Sequence, residues 1–175
     1  MEFVVIRAIR GQDSYIYRMN MEWIKLSISP VKDLIAFLHK KSNTSDVHKK
    51  QLFIELRDNL NVFSNGFLNE VSYDILIDLL KNDAIQQAIK DNFAFKKLKP
   101  GKIEATHIED DRNKKYIGWD TEKIVDKIDE KIVELKNIKK MHNGSVHQVK
   151  NNIPLMMSNL YFRMRLLADF IRSGS

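Results

Sequence analysis

His107 is followed within a few residues by Glu109, Asp110 and Asp111, the one place where an imidazole and several carboxylates stand together. Such a set can hold a hard or borderline metal ion, or supply a general acid and base, if the fold closes something over it. With no second ligand set in view, an acidic, solvated loop is the favoured reading. The remaining histidines offer less. His142 and His147 flank Gly144, five apart, which is not the spacing that puts two ligands on one helical face. There is no phosphate-binding glycine loop, no Gly-x-Ser-x-Gly elbow and no His-Glu-x-x-His. The chain has no cysteine, which removes thiolate ligands, thiol nucleophiles and disulfides. No catalytic residue, metal ligand or cofactor is therefore assigned.

Two stretches are basic and free of acids. Asn92 to Ile103 carries Lys96, Lys97, Lys99 and Lys102, with Phe93 and Phe95 beside them; Leu135 to Ala168 carries Lys136, Lys139, Lys140, Lys150, Arg163 and Arg165. Lysines on surface segments neutralise phosphates, and neighbouring aromatics stack on unpaired bases where they are exposed. Lys96, Lys97, Lys99, Lys102, Lys136, Lys139 and Lys140 are thus the candidate nucleic-acid contacts. The competing reading makes the lysines a solvated surface and the phenylalanines core. A net charge of +6 permits either.

The elements that must position these residues are helical. Six glycines and three prolines in 175 residues leave little material for turn-dense β architecture. Ile153 to Ile171 is apolar over most of a helical circumference. Met157, Leu160, Met164, Leu167 and Ile171 make one stripe, and Leu155, Phe162, Leu166 and Phe170 fall on another side. Ser158, Arg165, Asp169 and Arg172 share a narrow polar strip, with an Arg165–Asp169 pair expected on the wet side. Such a helix is either the centre of a bundle or half of an oligomer interface, and Met157, Phe162, Leu166 and Phe170 are the candidate interface residues. Asn151 or Asn152 caps it, with Pro154 in the first turn.

The rest of the chain reads in order. Residues 1 to 10 are irregular or a short strand, and Asn20 to Ile28 is helical. Ser29-Pro30 opens a helix with Val31, Leu34, Ile35 and Leu38 on its inner face and Lys40 and Lys41 at its negative end. Thr44 or Ser45 caps the next, in which Leu52, Phe53, Leu56, Leu60 and Phe63 face inward; Asp46 and Lys50 pair outside, and Ser64-Asn65-Gly66 stops it. Ser72 caps a third helix presenting Tyr73, Leu76, Ile77 and Leu80, and Asn82 or Asp83 starts a short one carrying Ile85, Ala88 and Ile89. Helical period is lost from Asn92 to Gly118, where Phe93 and Phe95 turn into the core and part of the segment forms a hairpin, a lid or a disordered stretch. Asp120 caps the longest stripe, Ile124, Val125, Ile128, Ile132, Leu135 and Ile138, with Trp119 stapling onto Ile124 and Asn143-Gly144 ending it.

The expectation is a single all-α domain over residues 1–172, a bundle of five or six helices whose last two form a long antiparallel pair, with residues 173–175 a linker or cloning remnant. No stretch has the apolar length of a membrane span or of a secretory leader, so a cytoplasmic protein is expected. The leading expectation for function is a non-enzymatic interaction or regulatory protein that self-associates or binds a protein partner. The alternative is an RNA- or DNA-binding protein using the lysine segments, and a metal-dependent nuclease or hydrolase at His107 is the least favoured. Small helical RNA-cleaving domains of the HEPN kind share this general architecture, but their arginine followed by a histidine occurs nowhere here, and the family is not assigned.

Overall fold

The computed structural model describes residues 30–174, all except the side chain of Phe67. The irregular or strand-like start, the helix expected over Asn20–Ile28 and the Ser29 cap lie outside those residues. Within them the chain is an all-α bundle: α1 (residues 30–41), α2 (Val47–Leu68), α3 (Tyr73–Leu79), α4 (Asp83–Lys90), α5 (Thr121–Met141) and α6 (Ile153–Arg172), with no strand among the described residues. Three short 3-10 turns, Phe95–Lys97, Ala105–His107 and Asp111–Tyr116, occupy the stretch without helical period. Backbone bonds of 2.8 Å from Ile103 N–H to the Trp119 carbonyl and from Gly118 N–H to the Ile103 carbonyl close the base of that loop.

The apolar stripes become one core. Val31, Leu34 and Leu38 of α1, Leu52, Phe53, Leu56, Leu60 and Phe63 of α2, and Leu76, Ile77 and Leu80 around α3 are buried in it. The whole α5 stripe from Ile124 to Ile138 joins them, as do Phe93 and Phe95. α6 is the centre of the bundle. Met157, Phe162, Leu166 and Phe170 are all buried by the chain itself, so the apolar circumference is satisfied internally and leaves no face for a second copy at these positions. Leu155 alone of the expected inward residues on α6 is half exposed. Thr121 at the start of α5 donates its hydroxyl to the Lys99 carbonyl at 2.7 Å, while the Lys99 ammonium lies 5.7 Å from the ring of Phe170 near the end of α6.

Caps explain most boundaries. Ser72 accepts from Ile75 N–H, Asp120 from Lys123 N–H at 3.0 Å and Asn152 from Leu155 N–H at 3.0 Å, as the sequence leads one to expect. Elsewhere the structure departs. Asp46, not Thr44 or Ser45, caps α2 by accepting from Lys49 N–H at 3.1 Å, so its side chain serves the cap. α2 also runs straight through Ser64-Asn65-Gly66 to Leu68. Gly66 is needed for packing, since a Cβ there would overlap Cδ2 of the buried Leu76. Ile89 is exposed rather than inward. Asn82 makes no side-chain cap bond; Glu55 of α2 reaches across and accepts from Ala84 N–H at 2.7 Å and Ile85 N–H at 3.2 Å, capping α4 from another helix.

Candidate functional site

The acidic stretch around His107 is a clasp on α6, not a free loop. Each carboxylate has a cation: Glu109 binds Arg165, Asp110 binds Arg112 at 2.7 Å, and Asp111 binds Lys114 at 2.9 Å. Arg112 also donates to the Ser158 hydroxyl at 2.5 Å and lies over Phe162, its guanidinium carbon 4.0 Å from the ring centre. Asn113, buried beneath it, donates to the Phe162 carbonyl at 3.1 Å. The His107 ring meets Phe170 edge-on at 5.0 Å and accepts from Glu104 N–H at 2.9 Å.

The polar strip of α6 thereby becomes an interior surface. Arg165 and Asp169 are 12% and 11% exposed and 3.7 Å apart, so the pair expected in water is nearly enclosed. Burial is the main cause that pushes the Asp169 carboxyl up to about 6, with the Glu109 charge adding to it and Arg172 and Arg165 opposing it. Among the described residues no group of three or more His, Asp or Glu side chains is arranged to hold a metal. The geometry gives this cluster a structural task.

The lysine segments separate. Lys136 donates to the Asn82 side chain at 3.3 Å, and Lys139 binds the Asp78 carboxylate and the Asp74 carbonyl, tying α5 to α3. Lys140 is exposed at the same end. Lys99 sits at the opposite end of α5, beside Thr121. Eighteen helical rises from Thr121 to Lys139 put roughly 27 Å between the two groups, so they do not act as one patch. Lys96, Lys97 and Lys102 are exposed around Lys99; Phe93 and Phe95, being core, have no face for a base, and Lys97 lies 5.5 Å from the Phe93 ring centre.

Lys99 belongs instead to a groove that the sequence order hides. Lys40 and Lys41 from the end of α1, Lys49 from the first turn of α2, and Lys99 rim a groove of about 760 Å³ floored by Phe37 and Leu98. The C-terminal end of α1 meets the start of α2 here through a short connection, and the turn before Pro100 brings the fourth ammonium from the far side. The lining contains no acidic side chain, and no ion pair among the described residues engages these four lysines. Lys41 rests near the Phe37 ring, at 5.7 Å, with its aliphatic stem available to apolar surface. Lys40, Lys41 and Lys49 were legible only as a helix-end charge and an ordinary surface lysine. The doubled lysine facing a lysine of the next helix is the signal that would have found them.

Several lysines on one rim, with no counter-charge in the lining and an apolar floor of low dielectric, concentrate positive potential in the groove. Comparison with protein-family models, with curated proteins and with solved structures finds no match for this chain. The functional reading therefore rests on geometry and charge.

Proposed function

We propose that this protein is a non-enzymatic nucleic-acid-binding protein, which takes a single-stranded phosphodiester backbone along the groove between α1, α2 and the turn at Pro100. The observation that carries this reading is the convergence of Lys40, Lys41, Lys49 and Lys99 on one groove with no acid in its lining. Contact is to the backbone, so no sequence preference is expected. The burial of Met157, Phe162, Leu166 and Phe170 weighs in the same direction, because those four side chains have little surface to offer another copy.

The test is fluorescence anisotropy of a short labelled single-stranded RNA across a salt series. Neutralising three to four phosphates gives a slope of about −2 to −3 in log affinity against log salt, from ~0.7 per phosphate on single strands. Charge reversal at Lys40, Lys41, Lys49 and Lys99 together should cost at least ~10-fold in affinity at low salt, whereas the same change at Lys136, Lys139 and Lys140 should cost little beyond the net-charge effect. Binding that is absent at low salt, or that survives the groove substitutions, would sink the proposal.

A further inference from the structure

A second opening lies on another part of the molecule, between the Asp111–Tyr116 turn, α5 and the middle of α6. We infer that it is a binding site for a nucleoside monophosphate, a ligand whose phosphate and planar base are joined through a sugar. The opening is a cleft of about 340 Å³, within the range of small-ligand pockets.

Its floor is Arg163, only 6% exposed. The guanidinium donates from Nε to the Tyr116 hydroxyl at 2.9 Å and from Nη1 to the Lys127 carbonyl at 2.7 Å. Nη2 makes no hydrogen bond among the described residues, and no carboxylate there bonds the group directly, although the Glu130 charge lies within its electrostatic reach. A cation this deep is costly without a directly bonded counter-ion, and its two neutral hydrogen-bond partners fix its direction without cancelling its charge. An incoming oxyanion supplies what the protein leaves out, taking the open edge of the guanidinium fork.

The walls suit the rest of such a ligand. Trp119, half-buried, is held edge-on against Tyr116 at 5.1 Å between ring centres and lines the cleft. Lys115 reaches over the Tyr116 ring, 5.3 Å from its centre, and has no ion pair among the described residues. Lys127 and Lys131 also line the cleft, but Glu130 and Glu134 respectively already engage them. Glu130 is the one acid in the lining, and its carboxylate is turned to Lys127. The ligand's charge therefore falls to Arg163 and Lys115, and its ring to Trp119. None of these residues lines the lysine groove, so the inference does not depend on it.

The experiment is a titration of the full chain carrying Trp23→Phe, so that Trp119 alone reports by its emission, with adenosine monophosphate, adenosine and inorganic phosphate as separate probes. Saturable quenching by the monophosphate is expected, with adenosine at least ~10-fold weaker and phosphate competing without comparable quenching. Arg163→Gln and Lys115→Glu should each weaken the monophosphate at least ~5-fold, while Lys32→Glu, exposed on α1 and in the lining of neither opening, leaves it unchanged. Lys115 is exposed, so its variant keeps the test decisive if Arg163→Gln does not fold. No saturation at millimolar monophosphate, equal binding of adenosine, or full affinity in folded Arg163→Gln and in Lys115→Glu would each overturn the inference.

Discussion

Glu55 places a carboxylate, 6% exposed, where the first turn of α4 needs two acceptors. Burial raises its pKa, and the two N–H groups of Ala84 and Ile85 pull it part of the way back. Replacing it by alanine strands both donors in the interior between α2 and α4, at ~1–3 kcal/mol for each buried group left unmade. A loss of about 2–4 kcal/mol is expected for Glu55→Ala, and roughly half that for Glu55→Gln, which keeps one acceptor. Urea denaturation of both variants checks the ordering; equal stability to the parent would mean that water replaces the carboxylate. The same residue illustrates a limit of local reading, because a cap supplied from α2, roughly thirty positions away, leaves no signature beside the helix it caps.

At the scale of elements, the junction of α2 with α3 turns on Gly66. A glycine inside a helix normally costs ~1 kcal/mol relative to alanine, so Gly66→Ala would stabilise an isolated α2. Here the new methyl meets fully buried Leu76, and overpacking of this kind costs ~1–3 kcal/mol. A net loss of about 1 kcal/mol is expected, and a Leu76→Ala background should turn the same substitution into a gain. Thermal melts of the two single variants and the double variant decide it. A glycine after Ser-Asn has the composition of a helix stop, but tertiary packing overrode it. The 92–118 segment is the counterpart: its lack of period was plain, yet its docking through Arg112, Asn113 and His107 required knowing which strip of α6 it would meet.

For the whole molecule, the enclosed Asp169 ties stability to pH in an unusual sense. A carboxyl raised from 3.8 to about 6 binds its proton more readily in the folded chain than in the unfolded one. Its contribution is fully present below the unfolded value and is lost as pH rises through the folded value. Raised carboxyls at Glu55 and Asp126 act in the same direction. Asp169→Asn imitates the protonated form and should stabilise the protein by about 1–3 kcal/mol at pH 7, an advantage that shrinks as pH falls towards 4. Denaturation midpoints of parent and variant at several pH values measure this. A variant less stable than the parent at pH 7, with the deficit closing as pH falls, would show that the ion pairs with Arg165 and Arg172, not the burial, dominate.

The sequence by itself determined the helices and their inner faces, because a 3.6-residue period in apolar side chains and the adjacent Ser, Asp and Asn caps are local properties. The stripes of α1, α2 and α5, the caps Ser72, Asp120 and Asn152, and the absence of a catalytic motif all follow from neighbours in the chain. Only the tertiary structure decided that the last helix is a centre whose polar strip is roofed by an acidic clasp, that Lys136 and Lys139 are tied to the start of α4 and to α3, and that Lys99 stands with Lys40, Lys41 and Lys49. Charges act across space, whereas periodicity acts along the chain. A run of lysines in sequence consequently says how many charges there are, and only packing says which of them still face water together.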